Sequence, residues 1–393
     1  MKLGEFRLKL GEFTQKGFRE PHLDRRFEAS FRRDHMKIAQ IAPLMESVPP
    51  RLYGGTERIV SYLVEELVEQ GHSVTLFASA DSLTAARLLP CCPQSLRLNP
   101  IAGDPIAYNM GMVEKVRSMA SQFDILHFHI DPFHFPIFRD IGGRTVTTLH
   151  GRQDRAELKR IYAEFPELPL VSLSWSQRVP IADANLVGTV PHGLPTGLLP
   201  PTLHSRGGYL AFLGRISPEK GVDRAISVAR AVGLPLKIAA KVDPSDERYF
   251  RTEIEPLLNQ PGIEFVGEID DRRKALFLGN ALALLFLIDW PEPFGLAMIE
   301  AMSCGTPVLA FRNGAVPEVI DDGLTGYIVH NWQEAVCKMG SLLALDRGRI
   351  RRCFVARFAA SRMARDYVKL YQDLLTRSET STRERLPVLA EHG

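Results

Sequence analysis

From Met36 onward, short apolar runs alternate with stretches whose apolar positions recur every three or four residues. That alternation predicts parallel strands joined by crossover helices. "KIAQIAPL" reads as the opening strand, and a helix is predicted over about Thr56–Gln70, with Ile59, Leu63 and Leu67 on one stripe and Gly71 closing it. Further strands are expected in Ser73–Ser79, Asp124–Ile130, Arg144–His150, Pro169–Ser174 and Ala184–Val190. The stretch His192–Gly208 is rich in proline and glycine and reads as a linker. A second strand–helix series follows in "GYLAFLG", "PLKIAAK", "IEFVG", "ALALLFLI", "TPVLAF" and "TGYIV", and an amphipathic stretch over about Arg349–Leu375 ends it.

The expected organisation is a leader at 1–35, a first domain at 36–200, a second at 201–350, a closing helix at 351–376 and a polar, frayed tail at 377–393. The leader repeats "KLGEF" and turns basic. It reads as a disordered segment or an upstream-start artefact. A sharper reading is a basic amphipathic helix, with Leu23, Phe27 and Phe31 on one face, suited to peripheral contact with anionic lipid.

Composition narrows the class. The chain has 393 residues, 45% of them hydrophobic, and a formal charge of +2, so two soluble domains are the natural expectation and a nucleic-acid footprint is absent. Five cysteines without a CxxC pair argue against a disulfide framework and a zinc site. With no apolar run of membrane-spanning length, the expected location is cytoplasmic, with the inner face of the membrane as a possible station.

In open parallel sheets ligands bind beyond the carboxyl ends of the strands, so chemistry is sought there. Gly54 and Gly55 stand at the first strand–helix turn, where missing side chains let a ligand approach the backbone. His129 and His150 end two strands of the first series. Arg215 and Lys220, in "GRISPEKG", end a strand just before a helix and suit an anion such as a diphosphate. In "DWPEPFGLAMIEAMSCG", Glu292 lies in a strand-end turn and Glu300 eight residues on, inside a helix. Ionised carboxylates only accept hydrogen bonds, so the pair suits vicinal hydroxyls. The helix beginning near Phe294 aims free N–H groups the same way. No cluster of metal ligands is seen, so no metal or other cofactor is expected.

"EPFGLAMIE" resembles the E-x7-E motif of the family 4 retaining glycosyltransferases, also called group 1, which have the two-Rossmann-domain GT-B fold. "GRISPEKG", "GAVPEVIDDGLTGYIV" and "RFAASRMARDYVKLY" are similar to further segments of that family, and the likeness runs from Met36 to about Leu375. The resemblance implies an α/β fold of two facing parallel-sheet domains, with the closing helix packed back on the first. It implies a metal-independent, retaining transferase that moves a sugar from a nucleoside-diphosphate donor, uridine ahead of guanosine, to a carbohydrate, lipid-linked or small-molecule acceptor. Arg215 and Lys220 would hold the diphosphate, Glu292 the sugar, with backbone N–H groups of Phe294, Gly295 and Leu296, and Glu300 the ribose. Val266 and Glu268 would lie near the base and His129 against the donor sugar. His150, Ser174, Ser176, Arg178 and His192 would line the cleft or the acceptor side. "KIAAKVD" lacks the glycine-rich turn of many members, and Lys241 is a candidate extra anion contact. An epimerase or sugar phosphorylase on the same fold, or a non-catalytic nucleotide-sugar binder, are the alternatives.

Overall fold

A parallel sheet must be re-entered from the same edge by every strand, so its connections cross over its faces, and this chain builds two such sheets in tandem. The computed structural model describes residues 35–51, 53–98 and 104–385; from Met36 on they belong to one unit. The basic helix read around Leu23–Phe31 lies outside the described residues.

The first sheet holds seven strands: β1 (Lys37–Ile41), β2 (Ser73–Ser79), β3 (Arg87–Cys92), β4 (Ile125–Phe128), β5 (Thr145–Thr148), β6 (Leu170–Ser172) and β7 (Leu186–Thr189). Their order is β3-β2-β1-β4-β5-β6-β7, all parallel. The second holds β8 (Leu210–Arg215), β9 (Leu236–Lys241), β10 (Ile263–Gly267), β11 (Ala283–Phe286), β12 (Val308–Phe311) and β13 (Gly326–Val329), again all parallel, in the order β10-β9-β8-β11-β12-β13. Strand order reverses between β1 and β4 and between β8 and β11. These switch points are where open sheets leave a crevice for a ligand. Twelve of the thirteen strands fall on runs expected from the pattern. β3 does not, because "RLLPCC" carries a proline and no clear alternation. It is tolerated because β3 is an edge strand, paired among the described residues only with β2.

The helix Gly55–Glu69 buries Ile59, Leu63 and Leu67 on the first sheet, as its stripe predicts. The closing stretch differs from expectation. It is two helices, Arg347–Phe358 and Ala360–Arg385, separated by extended backbone at Ala359 (φ −71°, ψ 140°). At this break the chain lies against the linker: the Leu194 N–H donates to Phe358 O and the Ala360 N–H to Leu194 O, both at 2.9 Å. A β-carbon on Gly193 would sit 2.5 Å from Ala359 O, which explains the glycine. The last helix continues to Arg385, past the point where fraying was expected. Its Tyr367 and Tyr371 are buried on the first sheet, bonded to Thr148 Oγ1 (2.8 Å) and His127 Nδ1 (2.7 Å). Among the described residues, no helix is long and apolar enough to cross a membrane.

One arginine ties the linker to the second sheet. Arg347 donates to Thr202 O (2.7 Å), Ala281 O (2.9 Å), Gly279 O (2.8 Å) and Thr306 Oγ1 (2.6 Å). Losing it strands three carbonyls at once. We expect Arg347→Met to lower the unfolding free energy by about 3 kcal/mol in urea titrations; a loss within about 0.5 kcal/mol would mean that water replaces the guanidinium without penalty.

Candidate active site

The loops beyond the carboxyl ends of the two sheets enclose a cavity of about 580 Å³. Its first-domain wall comprises the turn after β1 (Tyr53 to Glu57), Arg97, His150 and His192. The second-domain wall comprises Arg215, Lys220, Lys241, Glu268, Lys274, Trp290, Glu292, Phe294 to Ala297 and Glu300.

Glu292 is set by backbone contacts. Its carbonyl accepts from the Ala315 N–H at 2.9 Å. Gly314, at φ +53°, lies so close that a β-carbon there would meet Glu292 N and O at 2.3 Å. The segment Gly314–Val319 is thus the bed on which the Glu292 turn rests. The Glu292 side chain receives Lys220 Nζ at 2.6 Å and the Trp290 indole N–H at 2.8 Å, both on Oε2. Oε1 is left to accept from a ligand. Lys220 also sits 4.5 Å above the Trp290 ring, a cation–π contact that fixes the ammonium.

Glu300 repeats the arrangement one helical turn inside Leu296–Ser303: Lys274 Nζ donates to its Oε1 at 2.7 Å. Lys274 also meets Asp271 at 3.3 Å, and Asp271 bonds Arg58 of the first domain. A chain of alternating charge therefore runs across the cleft. Arg215 is bonded to Glu219 (2.9 Å), while its contacts to Asp243 and Asp246 are long, 3.5 and 3.6 Å. Contacts of that length are weak and exchangeable for phosphate oxygens. Lys241 pairs with Asp243 (3.1 Å) and lies 5.4 Å from the ring centre of Tyr53, whose N–H donates to Glu268 Oε1 at 2.8 Å. A second cross-cleft contact is made by Glu318, whose two oxygens accept the N–H groups of Trp175 and Ser176, each at 2.7 Å.

The first-domain wall is built differently, from neutral histidines. His150 bonds His129 Nδ1 through its Nε2 (2.9 Å), and its ring stacks on His192 at 5.4 Å. Burial lowers the pKa of His150 to about 3 and holds those of His129 and His192 well below the ordinary value. Burial likewise pushes the carboxyls of Glu46 and Glu57, near the turn after β1, upward.

Of the residues expected from sequence, Gly54, Gly55, Arg215, Lys220, Glu268, Glu292, Phe294, Gly295, Leu296, Glu300, His150 and His192 meet at the cavity. Three do not. His129 stands behind His150, between that ring and the His127 ring 4.1 Å away; the loop after the neighbouring strand β5 brings His150 over it. Val266 turns into the core, and the left-handed Gly267 (φ +71°) brings Glu268 to the cavity instead. Ser174 caps a helix by accepting the Gln177 N–H and donates to Pro293 O (2.8 Å). Ser176 and Arg178 are also engaged away from the cavity, Arg178 with Thr189 Oγ1. The two glycines have separate reasons: a β-carbon on Gly54 would strike Pro50 at 2.7 Å, whereas Gly55 faces Leu296 across the cleft. Sequence reading missed Lys274, Trp290 and Glu318. Only Trp290, beside Glu292 in the same turn, carried a local signal.

Facing parallel sheets with cations and hydroxyl-accepting carboxylates between them form the layout of a GT-B glycosyltransferase, and solved structures agree. That of AviGT4, a glycosyltransferase involved in avilamycin A biosynthesis, has a TM-score of 0.65 at 22% identity, covering 87% of this chain and 98% of that one. Sucrose-phosphate synthase from Thermosynechococcus elongatus has a TM-score of 0.71 at 18% identity, covering 87% and 100%. Residues 53–190 match the family model described as Glycosyltransferase Family 4, and residues 202–352 the one described as Glycosyl transferases group 1. The chain belongs to this glycosyltransferase family. The phosphatidyl-myo-inositol mannosyltransferase of Mycobacterium leprae is 24% identical over 87% of this chain and 98% of its own length. The alpha-maltose-1-phosphate synthase of Mycobacterium tuberculosis is 31% identical over 38% of this chain, and the match spans only 44% of that enzyme.

Two outcomes follow from this geometry. Gly314→Ala should cost about 2 kcal/mol of stability and depress turnover while leaving free-nucleotide affinity intact; unchanged melting and turnover would show that the Glu292 turn does not rest on Gly314. The second concerns pH. His127, His129, His134, His150 and His192 all have pKa values lowered by burial, so the unfolded chain binds more protons than the folded one below the ordinary histidine pKa. Stability therefore rises with pH from about 3, the folded value of His134 and His150, and the histidine contribution levels off above 6.5. Each buried neutral histidine adds up to about 1.4 kcal/mol per pH unit in that window. Urea titrations at pH 7.5 and 5.5 should show the drop, and equal stabilities would contradict it.

Proposed function

We propose that the protein transfers a glycosyl group from a nucleoside-diphosphate sugar, uridine ahead of guanosine, to an acceptor hydroxyl, retaining the anomeric configuration and needing no metal. The observation that carries this reading is the pair Glu292 and Glu300. Each gives one carboxylate oxygen to a lysine and keeps the other, so each accepts from a hydroxyl without meeting an unpaired charge. Glu292, beside Lys220, takes the sugar; Glu300, beside Lys274, takes the ribose. The structure of Anabaena Alr3699/HepE in complex with UDP and glucose, a neighbour of this fold at a TM-score of 0.67 and 15% identity over 86% of this chain and 100% of that one, is in keeping with a uridine diphosphate donor.

In the transfer, the acceptor oxygen bonds to the anomeric carbon as the bond from that carbon to the diphosphate oxygen breaks. The acceptor's proton leaves on the departing phosphate. Negative charge grows on the diphosphate, where Arg215, Lys220 and the first turn of Leu296–Ser303 oppose it. A preorganised donor at such a position lowers the barrier by about 3–4 kcal/mol. His150, neutral and lining the cavity, stands as the histidine nearest the sugar, with His129 holding it. The acceptor enters along the first-domain wall, between Tyr53, Arg97 and His150; a carbohydrate, small-molecule or lipid-linked hydroxyl fits this reading, the last with peripheral membrane contact.

A donor screen by thermal shift tests the reading first, since a nucleotide sugar at 100 times its dissociation constant adds about 2.7 kcal/mol of stability. Glu300→Gln should weaken free-nucleotide binding, whereas Glu292→Gln should spare it and cut turnover by roughly 100-fold. The reverse pattern would sink the assignment of the two carboxylates. Transfer should persist in EDTA, and proton NMR of the first product should show the donor's anomeric configuration; full loss in EDTA restored by a divalent ion, or an inverted product, would overturn those parts.

A further inference from the structure

A glutamine sits in the middle of an apolar strand. Gln40 of β1 is completely buried, and both ends of its amide are occupied. Its oxygen lies 2.8 Å from His129 Nε2, and its nitrogen 3.2 Å from the Tyr371 hydroxyl on the last helix. The amide nitrogen faces Tyr371 and the amide oxygen faces His129, and a separation of 3.2 Å suits an N–H···O bond better than an O–H···O bond. His129 must then carry its proton on Nε2, to donate to Gln40.

A neutral imidazole has one donor and one acceptor nitrogen. His129, donating through Nε2, accepts at Nδ1, and the group there is His150 Nε2, at 2.9 Å. His150 must therefore carry its proton on Nε2, leaving Nδ1 bare. On the other side, the Tyr371 hydroxyl accepts from Gln40 and donates to His127 Nδ1 (2.7 Å), and His127 Nε2 donates to Thr148 Oγ1 (2.7 Å). Every donor meets an acceptor, from the closing helix to the cavity. Burial keeps the imidazoles neutral, so the pattern holds across the ordinary working range.

We propose that Gln40 is a positioning residue: through His129 it fixes His150 as the Nε2–H tautomer, so that His150 offers a bare Nδ1 to a substrate hydroxyl in the cavity. The effect on turnover rests on the transferase reading above, but the tautomer does not. Long-range proton–nitrogen correlation spectra of the full-length protein labelled with 15N-histidine read the tautomer directly, with His150→Asn and His129→Asn assigning the signals. In the unsubstituted protein both His129 and His150 should carry their protons on Nε2; a His150 protonated on Nδ1 overturns the proposal, whatever any variant does. Gln40→Met keeps the volume and removes the amide. It should give His150 a mixture of tautomers and lower kcat roughly tenfold, the value of one lost hydrogen bond, with nucleotide affinity within about twofold. An unchanged His150 spectrum in that variant would also overturn it. Spectra as expected in a protein that transfers no sugar would uphold the relay and reject the transferase reading instead.

Discussion

Burying a carboxylate costs several kcal/mol unless a cation or a backbone donor meets it, and the cleft is organised around that constraint. Glu292 has Lys220, Glu300 has Lys274, Asp271 has Arg58 and Glu46 has Arg97. Glu268 and Glu318 have backbone N–H groups instead. Several of these partners come from the opposite domain, so the same pairing that makes the acids tolerable also holds the two sheets face to face. The acids are half-satisfied by design of the fold: a lysine on one oxygen leaves the other for a hydroxyl.

Apart from the Glu46–Arg97 pair, much of the first-domain wall meets the same constraint with neutral groups. On that wall His150 stacks on His192, and His129 is bonded behind His150, with the tyrosines of the final helix further back. The neutral imidazoles add no positive charge beside the cations of the second domain. The closing helix is therefore more than a strap. It completes a polar network that β1, β4 and β5 begin.

Much of this was legible in the residue pattern, and the exceptions have physical causes. Strands buried on both faces read as apolar runs, and strand-end positions told where chemistry would gather; Arg215, Lys220, Glu292 and Glu300 were found that way. β3 escaped because an edge strand need not obey the pattern. His129 and His150 were both found, but His150 lines the cavity and His129 stands behind it, since which of two strand-end histidines covers the other depends on the loop beyond the strand. Lys274, Glu318 and Arg347 gave no signal, because each acts on a partner 26, 142 and 145 residues away. Long-range pairing of that kind belongs to the folded chain alone.

The charge chain Glu300–Lys274–Asp271–Arg58 carries a consequence for the order of events. It begins at Glu300 on the cavity wall and ends on the first helix of the opposite domain. If a nucleotide engages Glu300 and changes how Lys274 divides its bonds, it also changes how firmly Asp271 holds Arg58. Linkage then requires the converse: whatever the acceptor does to the turn and helix that carry Arg58 alters nucleotide affinity by the same factor. Donor and acceptor would not be independent tenants of one cavity but two ligands of a single electrostatic lever.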